Sequence, residues 1–263
     1  MSGSLAGRTV LVTRPAHQAE PLCRMLREQG AEPLRFPTLE IVPPRDPDAA
    51  RAALAHAGTF DLLVFISANA VTQSLALAGT LPAAPRRAVI GRATARALTE
   101  AGEQVDLQPR HGADSEALLA LPELRRVDGW RVLIVRGEGG REVLAGSLRA
   151  RGATVEYAEV YRRSRPQADP APLLDRWRAG GIDAATATSN ETLANLHALI
   201  GPAGHEPLLA TPLAVASPRA LELALELGWR APVRVAASAE DAAMVAALIE
   251  LLVQSSTAYS NES

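Results

Sequence analysis

Residues 136–141 read Arg-Gly-Glu-Gly-Gly-Arg, between the apolar run Val132-Leu133-Ile134-Val135 and a helix-like pattern beginning "EVLAGSL". A strand that passes through glycines into a helix turns backbone N–H groups and the positive end of a helix dipole toward one point. That point suits a carboxylate or a phosphate, and Arg136 and Arg141 flank it. A dinucleotide fingerprint needs glycine at the sixth place of G-x-G-x-x-G, and Glu142 stands there, where its charge would repel a pyrophosphate. A P-loop needs lysine, and the chain has none, so all 27 cationic residues are arginine. Two readings remain for the Gly137 loop: an anion site, or a tight turn between two solvated arginines.

Five other strand-to-helix turns carry hydroxyls, amides or arginines: Thr13-Arg14-Pro15, Ser67-Ala68-Asn69, Gly91-Arg92-Ala93-Thr94, Ser189-Asn190 and Ser217-Pro218-Arg219. Taken singly, each is most simply a helix N-cap. Taken together, in two copies around a hinge, they suggest a cleft lined with neutral donors and a few arginines. Such a lining fits a large ligand with several anionic groups. The histidines at 17, 56, 111, 197 and 205 show no H-x-x-x-H pairing and Cys23 is alone, so no metal site is expected. There is no G-x-S-x-G elbow and no Ser/His/Asp set. Asp61 and Asp183 precede apolar strands and read as turn or cap residues. No conventional nucleophile is in view, and no cofactor is expected.

The elements that must hold these turns follow a β-α rhythm. Strand-length runs ("RTVLVTRP", "AEPLRFP", "DLLVFIS", "RRAVIG", "EQVDLQP", "WRVLIVRG") alternate with amphipathic stretches of helix length, such as "AHQAEPLCRMLREQG". This predicts an α/β fold with a mainly parallel sheet, and its carboxyl edge is where ligands bind in such sheets. The pattern then repeats: Val10 aligns with Val132, Asp61 with Asp183 and Ala88 with Ala214, in one order. Two copies of one unit are therefore expected. Proline-rich segments containing Pro37, Pro43, Pro44 and Pro47, and Pro166, Pro170 and Pro172, read as crossings between the copies. The preferred division puts 46–158 in one domain and 1–37 with 166–254 in the other. Residues 38–45 and 159–165 become linker strands, and 255–263 a polar, disordered tail; "MSGS" reads as a polar end of the same kind. The rival is two contiguous halves cut near residue 128.

Hydrophobic residues make up 48% of the 263-residue chain, enough for a real core, and at 3% aromatic that core must be mostly Ala, Val and Leu. A net charge of −2 with no basic block argues against a nucleic-acid partner. One cysteine allows no internal disulfide, which points to a reducing compartment. No signal-like start and no membrane-length apolar run are seen, so a cytoplasmic protein is expected, and the want of an apolar seam suggests a monomer.

The ordered set "VLVTRP", "FPTLEIVPP", "DLLVFISANAV", "AVIGRATARAL", "VLIVRGEGGREVLAGSLRARGATV" and "VEYAEVYRR", from about residue 8 to 250, resembles the uroporphyrinogen-III synthase family. The resemblance implies two flavodoxin-like α/β domains joined by a two-stranded β linker, with the active site in the cleft between them. It implies a cofactor-independent lyase that takes water from hydroxymethylbilane, inverts the terminal pyrrole and closes the ring. That substrate is a linear tetrapyrrole with eight carboxylates, which suits guanidinium groups and backbone N–H donors. Tyr161, in "EVYRR", matches a family tyrosine proposed to help the hydroxyl leave; a phenol is protonated at neutral pH and can donate. Its plainer role is packing at the hinge, and Tyr157, four residues earlier, is expected on the same strand face. Thr13, Arg14, Ser67, Asn69, Thr94, Arg136, Gly137, Arg141, Ser189, Asn190, Ser217 and Arg219 are the expected substrate contacts. Two departures from the family pattern are Ile66, where a threonine hydroxyl is lost, and "SPRA" at 217–220. A different function also stays open: a two-domain binding protein that closes on a polyanionic ligand without chemistry.

Overall fold

The computed structural model describes the backbone of residues 3–83 and 85–260 and side chains as far as residue 252. Met1, Ser2 and residues 261–263 of the two polar ends lie outside the described residues. Among the described residues the strands are β1 (Thr9–Val12), β2 (Glu32–Arg35), β3 (Glu40–Val42), β4 (Leu62–Phe65), β5 (Arg86–Val89), β6 (Arg131–Gly137), β7 (Thr154–Ser164), β8 (Ala184–Ala187), β9 (Leu213–Val215) and β10 (Val233–Val235). They form two five-stranded sheets, one in each of two compact units. Residues up to 40 and from 164 onward make the first unit, and 41–163 the second.

The first sheet has the order β10-β9-β8-β1-β2, parallel throughout. The second has the order β3-β7-β6-β4-β5, parallel from β7 to β5. Each sheet draws strands from both halves of the chain, with β8 beside β1 and β4 beside β6, so a cut near residue 128 is excluded. The internal repeat is visible in the topology. β2-β1-β8-β9 in one unit corresponds to β7-β6-β4-β5 in the other, and the two copies are circularly permuted along the chain.

The central strands are nearly all apolar because both faces are covered, and a buried exception, Thr186 of β8, donates its hydroxyl to the Leu11 carbonyl. Leu62, Leu63, Val64 and Phe65 of β4 are all buried to nothing. In the second unit, Leu63, Phe65, Leu133 and Val135 pack on one face against Ala70 and Val71 of the helix Ala68–Ala78. Leu62, Val64, Val132 and Ile134 pack on the other, against Leu144 and Leu148 of the helix Val143–Ala150. In the first unit, the helices Ala19–Glu28 and Asp241–Ser260 take one face, and Asn190–Ile200 and Pro218–Glu226 the other.

Three expectations are corrected. "EQVDLQP" is the counterpart of β10 but forms only an isolated bridge, Leu107 with Ala88. The Asp106 carboxylate accepts the Arg87 N–H at 2.7 Å, in place of a ladder bond, and Pro109 ends the run. The expected linker 159–165 is not separate: β7 runs eleven residues without a glycine or proline and stops before Pro166. The expected disordered tail is helical through Ser260, since no glycine or proline interrupts the helix from Asp241.

Candidate active site

Tyr161 is positioned by an irregularity in β7. Up to Glu159 the strand alternates: Val155 and Tyr157 pack on the face of Val132 and Ile134, and Ala158 on the opposite face. The register with β6 then slips, with Glu159 opposite Arg136 but Tyr161 opposite Gly137. Val160 is the extra residue of a β-bulge, and both Val160 and Tyr161 fall on the Leu133 face. A bulge re-aims a side chain in this way, and it is uncommon between parallel strands. The expected sharing of one face by Tyr157 and Tyr161 is therefore overturned. Period-two alternation holds only while the pairing register does.

On its new face Tyr161 lies flat against the end of β6. A Cβ on Gly137 would stand 2.6 Å from its Cε2 and 2.7 Å from its Cζ. The Tyr161 carbonyl accepts the Glu138 N–H at 2.7 Å. The phenol oxygen is 3.0 Å from Oγ of Ser67, and either hydroxyl can donate. Ser67 is the N-cap of the helix Ala68–Ala78 and accepts the Ala70 N–H at 3.0 Å. Tyr161 keeps 2% of its surface exposed, while Ser67 is half-buried at the carboxyl edge of the sheet. Ser67, Gly137 and Tyr161 are all expected site residues, and the structure brings these three together.

The glycine loop is occupied by its own carboxylates. Arg136, 7% exposed, donates to Glu159 Oε1 from Nε (3.2 Å) and Nη2 (3.1 Å), and from Nη1 to Glu142 at 3.1 Å. Its guanidinium carbon stacks 4.0 Å from the centroid of the Tyr157 ring, and the Tyr157 hydroxyl donates to Glu142. The hydrogen bond from Tyr157, then Arg136, holds the Glu142 carboxyl below its ordinary range. Burial and then that same bond push the Tyr157 phenol up. Even the Gly139 N–H goes to Glu159, at 3.3 Å. Gly139 and Gly140 have φ of 72° and 105°, where only glycine is comfortable. Arg136 thus has its charge met twice over. Arg141 is exposed and faces Glu116 loosely, at 3.7 Å. The adjoining cavity of about 430 Å³ is lined by Asp46, Glu138 and Glu159 against the single cation Arg45, a poor receptor for carboxylates.

The other expected contacts divide into spent and available groups. Thr13 is fully buried and donates to the Thr186 carbonyl at 2.7 Å. Arg14 pairs with Asp241 at 2.9 Å and donates to the Ala239 carbonyl; burial lowers its pKa and Asp241 opposes that. Ser189 and Ser217 are N-caps, accepting from Thr192 (3.2 Å) and Ala220 (3.3 Å). Asn190 donates to the Arg219 carbonyl at 3.3 Å. Thr94 is 3% exposed, inside the helix Arg92–Glu100, whereas Arg92 in the same turn is exposed. Asn69 is half-buried beside Ser67. Arg92, Arg110, His111 and Arg219 are exposed and make no ion pair among the described residues. Arg92 and Arg110 are not among the contacts expected from sequence. Arg92 shares its turn with Thr94, whose hydroxyl is the more obvious donor, and Arg110 follows a stretch expected to be regular strand. Among the described residues no group of His, Cys, Asp and Glu could hold a metal ion. No helix among them is long and apolar enough to cross a membrane.

Residues 20–246 match the family model for uroporphyrinogen-III synthase HemD. The chain is 38% identical over 245 residues to the uroporphyrinogen-III synthase of Escherichia coli (strain K12), covering 91% of this chain and 99% of that protein. It is 39% identical over 246 residues to the synthase of Salmonella typhimurium, with the same coverage. A crystal structure of a mutant uroporphyrinogen III synthase from the extremely thermophilic bacterium Thermus thermophilus superposes with a TM-score of 0.60, over 94% of this chain and 100% of that one; at 19% identity this bears on the fold. With a family model spanning most of its length and near-complete relatives above 30% identity, the chain belongs to the uroporphyrinogen-III synthase family of lyases.

Proposed function

We propose that this enzyme closes linear hydroxymethylbilane to uroporphyrinogen III with loss of water, and that Tyr161 assists departure of the hydroxyl. The observation that carries the role of Tyr161 is the bulge at Val160. It turns a phenol out of the regular strand alternation and against Gly137, with its oxygen 3.0 Å from a hydroxyl at the sheet's carboxyl edge. A tyrosine that only filled core would not require a register slip and a bare glycine to admit it.

The chemistry asks little of a nucleophile. The pyrrole nitrogen lone pair pushes out the substrate hydroxyl, a donated proton lets it leave as water, and the terminal ring then bonds through its substituted carbon. The enzyme has to hold the flexible chain so that this closure outruns the simple one. A tenfold preference between competing transition states needs only about 1.4 kcal/mol. Arg92, Arg110, Arg219 and the loosely paired Arg141 are the cations suited to the substrate carboxylates, because Arg14 and Arg136 are already neutralised within the fold. The negative net charge agrees with a small anionic ligand held by a few local cations, not with a nucleic acid. On the same reading the enzyme works as a cytoplasmic monomer.

The test is to supply purified protein with freshly prepared hydroxymethylbilane and resolve the product isomers. Type III product in excess is expected. Type I product alone, formed at the uncatalysed rate, would remove the proposal. Tyr161→Phe should keep the fold and lower kcat by roughly two orders of magnitude, the low end of the range for a lost general acid; a wild-type rate would return Tyr161 to packing.

A further inference from the structure

We infer that Ser67 is the hydroxyl that touches the leaving group, and that Tyr161 acts behind it as the proton source. This rests on the role proposed for Tyr161 and goes further, because it changes which atom meets the substrate.

Protons and exposed surface both favour Ser67. Ser67 and Tyr161 share one hydrogen bond, of 3.0 Å, between two hydroxyls that each own one proton. The Ser67 oxygen also accepts the Ala70 N–H, so its second lone pair is free to receive the phenol proton. If Tyr161 donates to Ser67, the Ser67 proton has no acceptor among the hydrogen bonds of the pair, and it remains available to an outside oxygen. Exposure decides which hydroxyl a ligand can reach. Tyr161 retains 2% of its surface, enclosed by Gly137, Phe65, Val135 and Val160, while Ser67 is half-buried at the edge. A departing hydroxyl therefore meets Ser67 first.

The step balances without a co-reactant. The substrate C–O bond breaks with its electron pair going to oxygen, and the Ser67 proton joins that oxygen to give water. The Ser67 oxygen takes the Tyr161 proton, leaving the pair on the phenol oxygen. Bonding at the substituted ring carbon makes a quaternary centre with no hydrogen to lose, so the ring's old bond to its bridging methylene breaks with the electron pair returning to the ring. The methylene re-bonds at the ring's unsubstituted carbon, and that carbon sheds one proton, whose return through Ser67 restores Tyr161. The net change is loss of one water. The position of Ser67 as an N-cap suits a relay, since the Ala70 amide holds its oxygen while its proton stays free to rotate.

The experiment uses Ser67→Gly, Ser67→Thr, Tyr161→Phe and the double variant Ser67→Gly/Tyr161→Phe in the full chain. Glycine is nearly as good an N-cap as serine, so Ser67→Gly removes the hydroxyl while preserving the helix start. Ser67→Gly should lower kcat about a hundredfold with KM within about twofold, and Ser67→Thr should restore most of it. The double variant should be no slower than the worse single one, because both remove one path. In mixtures of light and heavy water, the wild-type rate should curve with deuterium fraction, as two moving protons require. Residual Ser67→Gly activity should vary linearly, a change that loss of a cap would not cause. Wild-type kcat in Ser67→Gly with Tyr161→Phe impaired overturns the relay and leaves Tyr161 as the direct donor. Multiplicative losses in the double variant likewise overturn it. An unimpaired Tyr161→Phe overturns both the relay and the role of Tyr161.

Discussion

Gly137 and Tyr161 face each other across β6 and β7 with no room for a methyl group between them: a Cβ on Gly137 would lie 2.6 Å from the tyrosine ring. Gly137 lacks a side chain for the sake of that ring. Its neighbours Gly139 and Gly140 are glycines for another reason, their positive φ. A loop that looks from its composition like a phosphate cradle is thus half turn and half seat for an aromatic ring.

Gly137→Ala should displace the Tyr161 ring and lengthen its bond to Ser67. Overpacking of this kind costs about 1–3 kcal/mol. Urea denaturation should show that loss together with a fall in kcat. In a Tyr161→Ala background the same substitution should cost much less, since the clash is gone; an equal cost in both backgrounds would mean that Gly137 answers to something other than the ring.

Much of this arrangement is legible in the sequence, and the illegible part has one physical source. The strands β1, β4 and β6 announce themselves as apolar runs, and their repetition reveals the paired units and, with them, β8, whose Ala-Ala-Thr-Ala is no such run by itself. The edges that carry Ser67, Ser189 and Ser217 follow from where those runs stop. What depends on a partner across the sheet cannot be read from one strand alone. The bulge at Val160 exists only relative to β6, so alternation puts Tyr157 and Tyr161 on one face when they lie on two. Arg136 reads as a free cation because Glu159, its main partner, is brought to it by strand pairing. Arg14 likewise meets Asp241 only because the last helix covers β1.

The Glu142 carboxyl gives the glycine loop a dependence on pH. Its pKa is lowered in the fold, chiefly by the Tyr157 hydroxyl and then by Arg136, so its contribution is fully present above the ordinary carboxylate range. That contribution is lost as pH falls through the lowered folded value. Tyr157→Phe removes the larger cause, so Glu142 should titrate at higher pH and the loop should loosen earlier on acidification. Carboxyl NMR titration of the variant against wild type reads this directly, and coincident curves would contradict the assignment.

Asp241 offsets the burial of Arg14, whose pKa is lowered by desolvation first and raised by that carboxylate second. The ion pair, at 2.9 Å, ties the carboxyl end of β1 to the first turn of the last helix. Asp241→Asn leaves the guanidinium poorly compensated and should cost about 1.5–3 kcal/mol, the range for a hydrogen bond to a charged group. Arg14→Met combined with Asp241→Asn should recover part of that loss, because the uncompensated charge goes with it. Urea midpoints decide the matter: a double variant less stable than Asp241→Asn would show that Arg14 stabilises the fold through packing or its bond to Ala239.

Arg219 and Arg92 make no ion pair among the described residues, and each stands in the first turn of a helix at a carboxyl edge. A cation there adds to the helix dipole and has no neutralising partner among the described residues, so the proposed function gives it a substrate carboxylate as counter-ion. Arg219→Ala and Arg92→Ala should each raise KM for hydroxymethylbilane about three- to tenfold with kcat nearly unchanged, the signature of lost uniform binding. The wild-type KM should rise with salt, and less steeply in each variant, since an exposed pair is screened by ions. Arg136→Ala should behave differently, lowering stability through Glu142 and Glu159 rather than shifting KM alone. If Arg136→Ala raised KM with stability intact while Arg219→Ala did nothing, the division into spent and available arginines would be reversed.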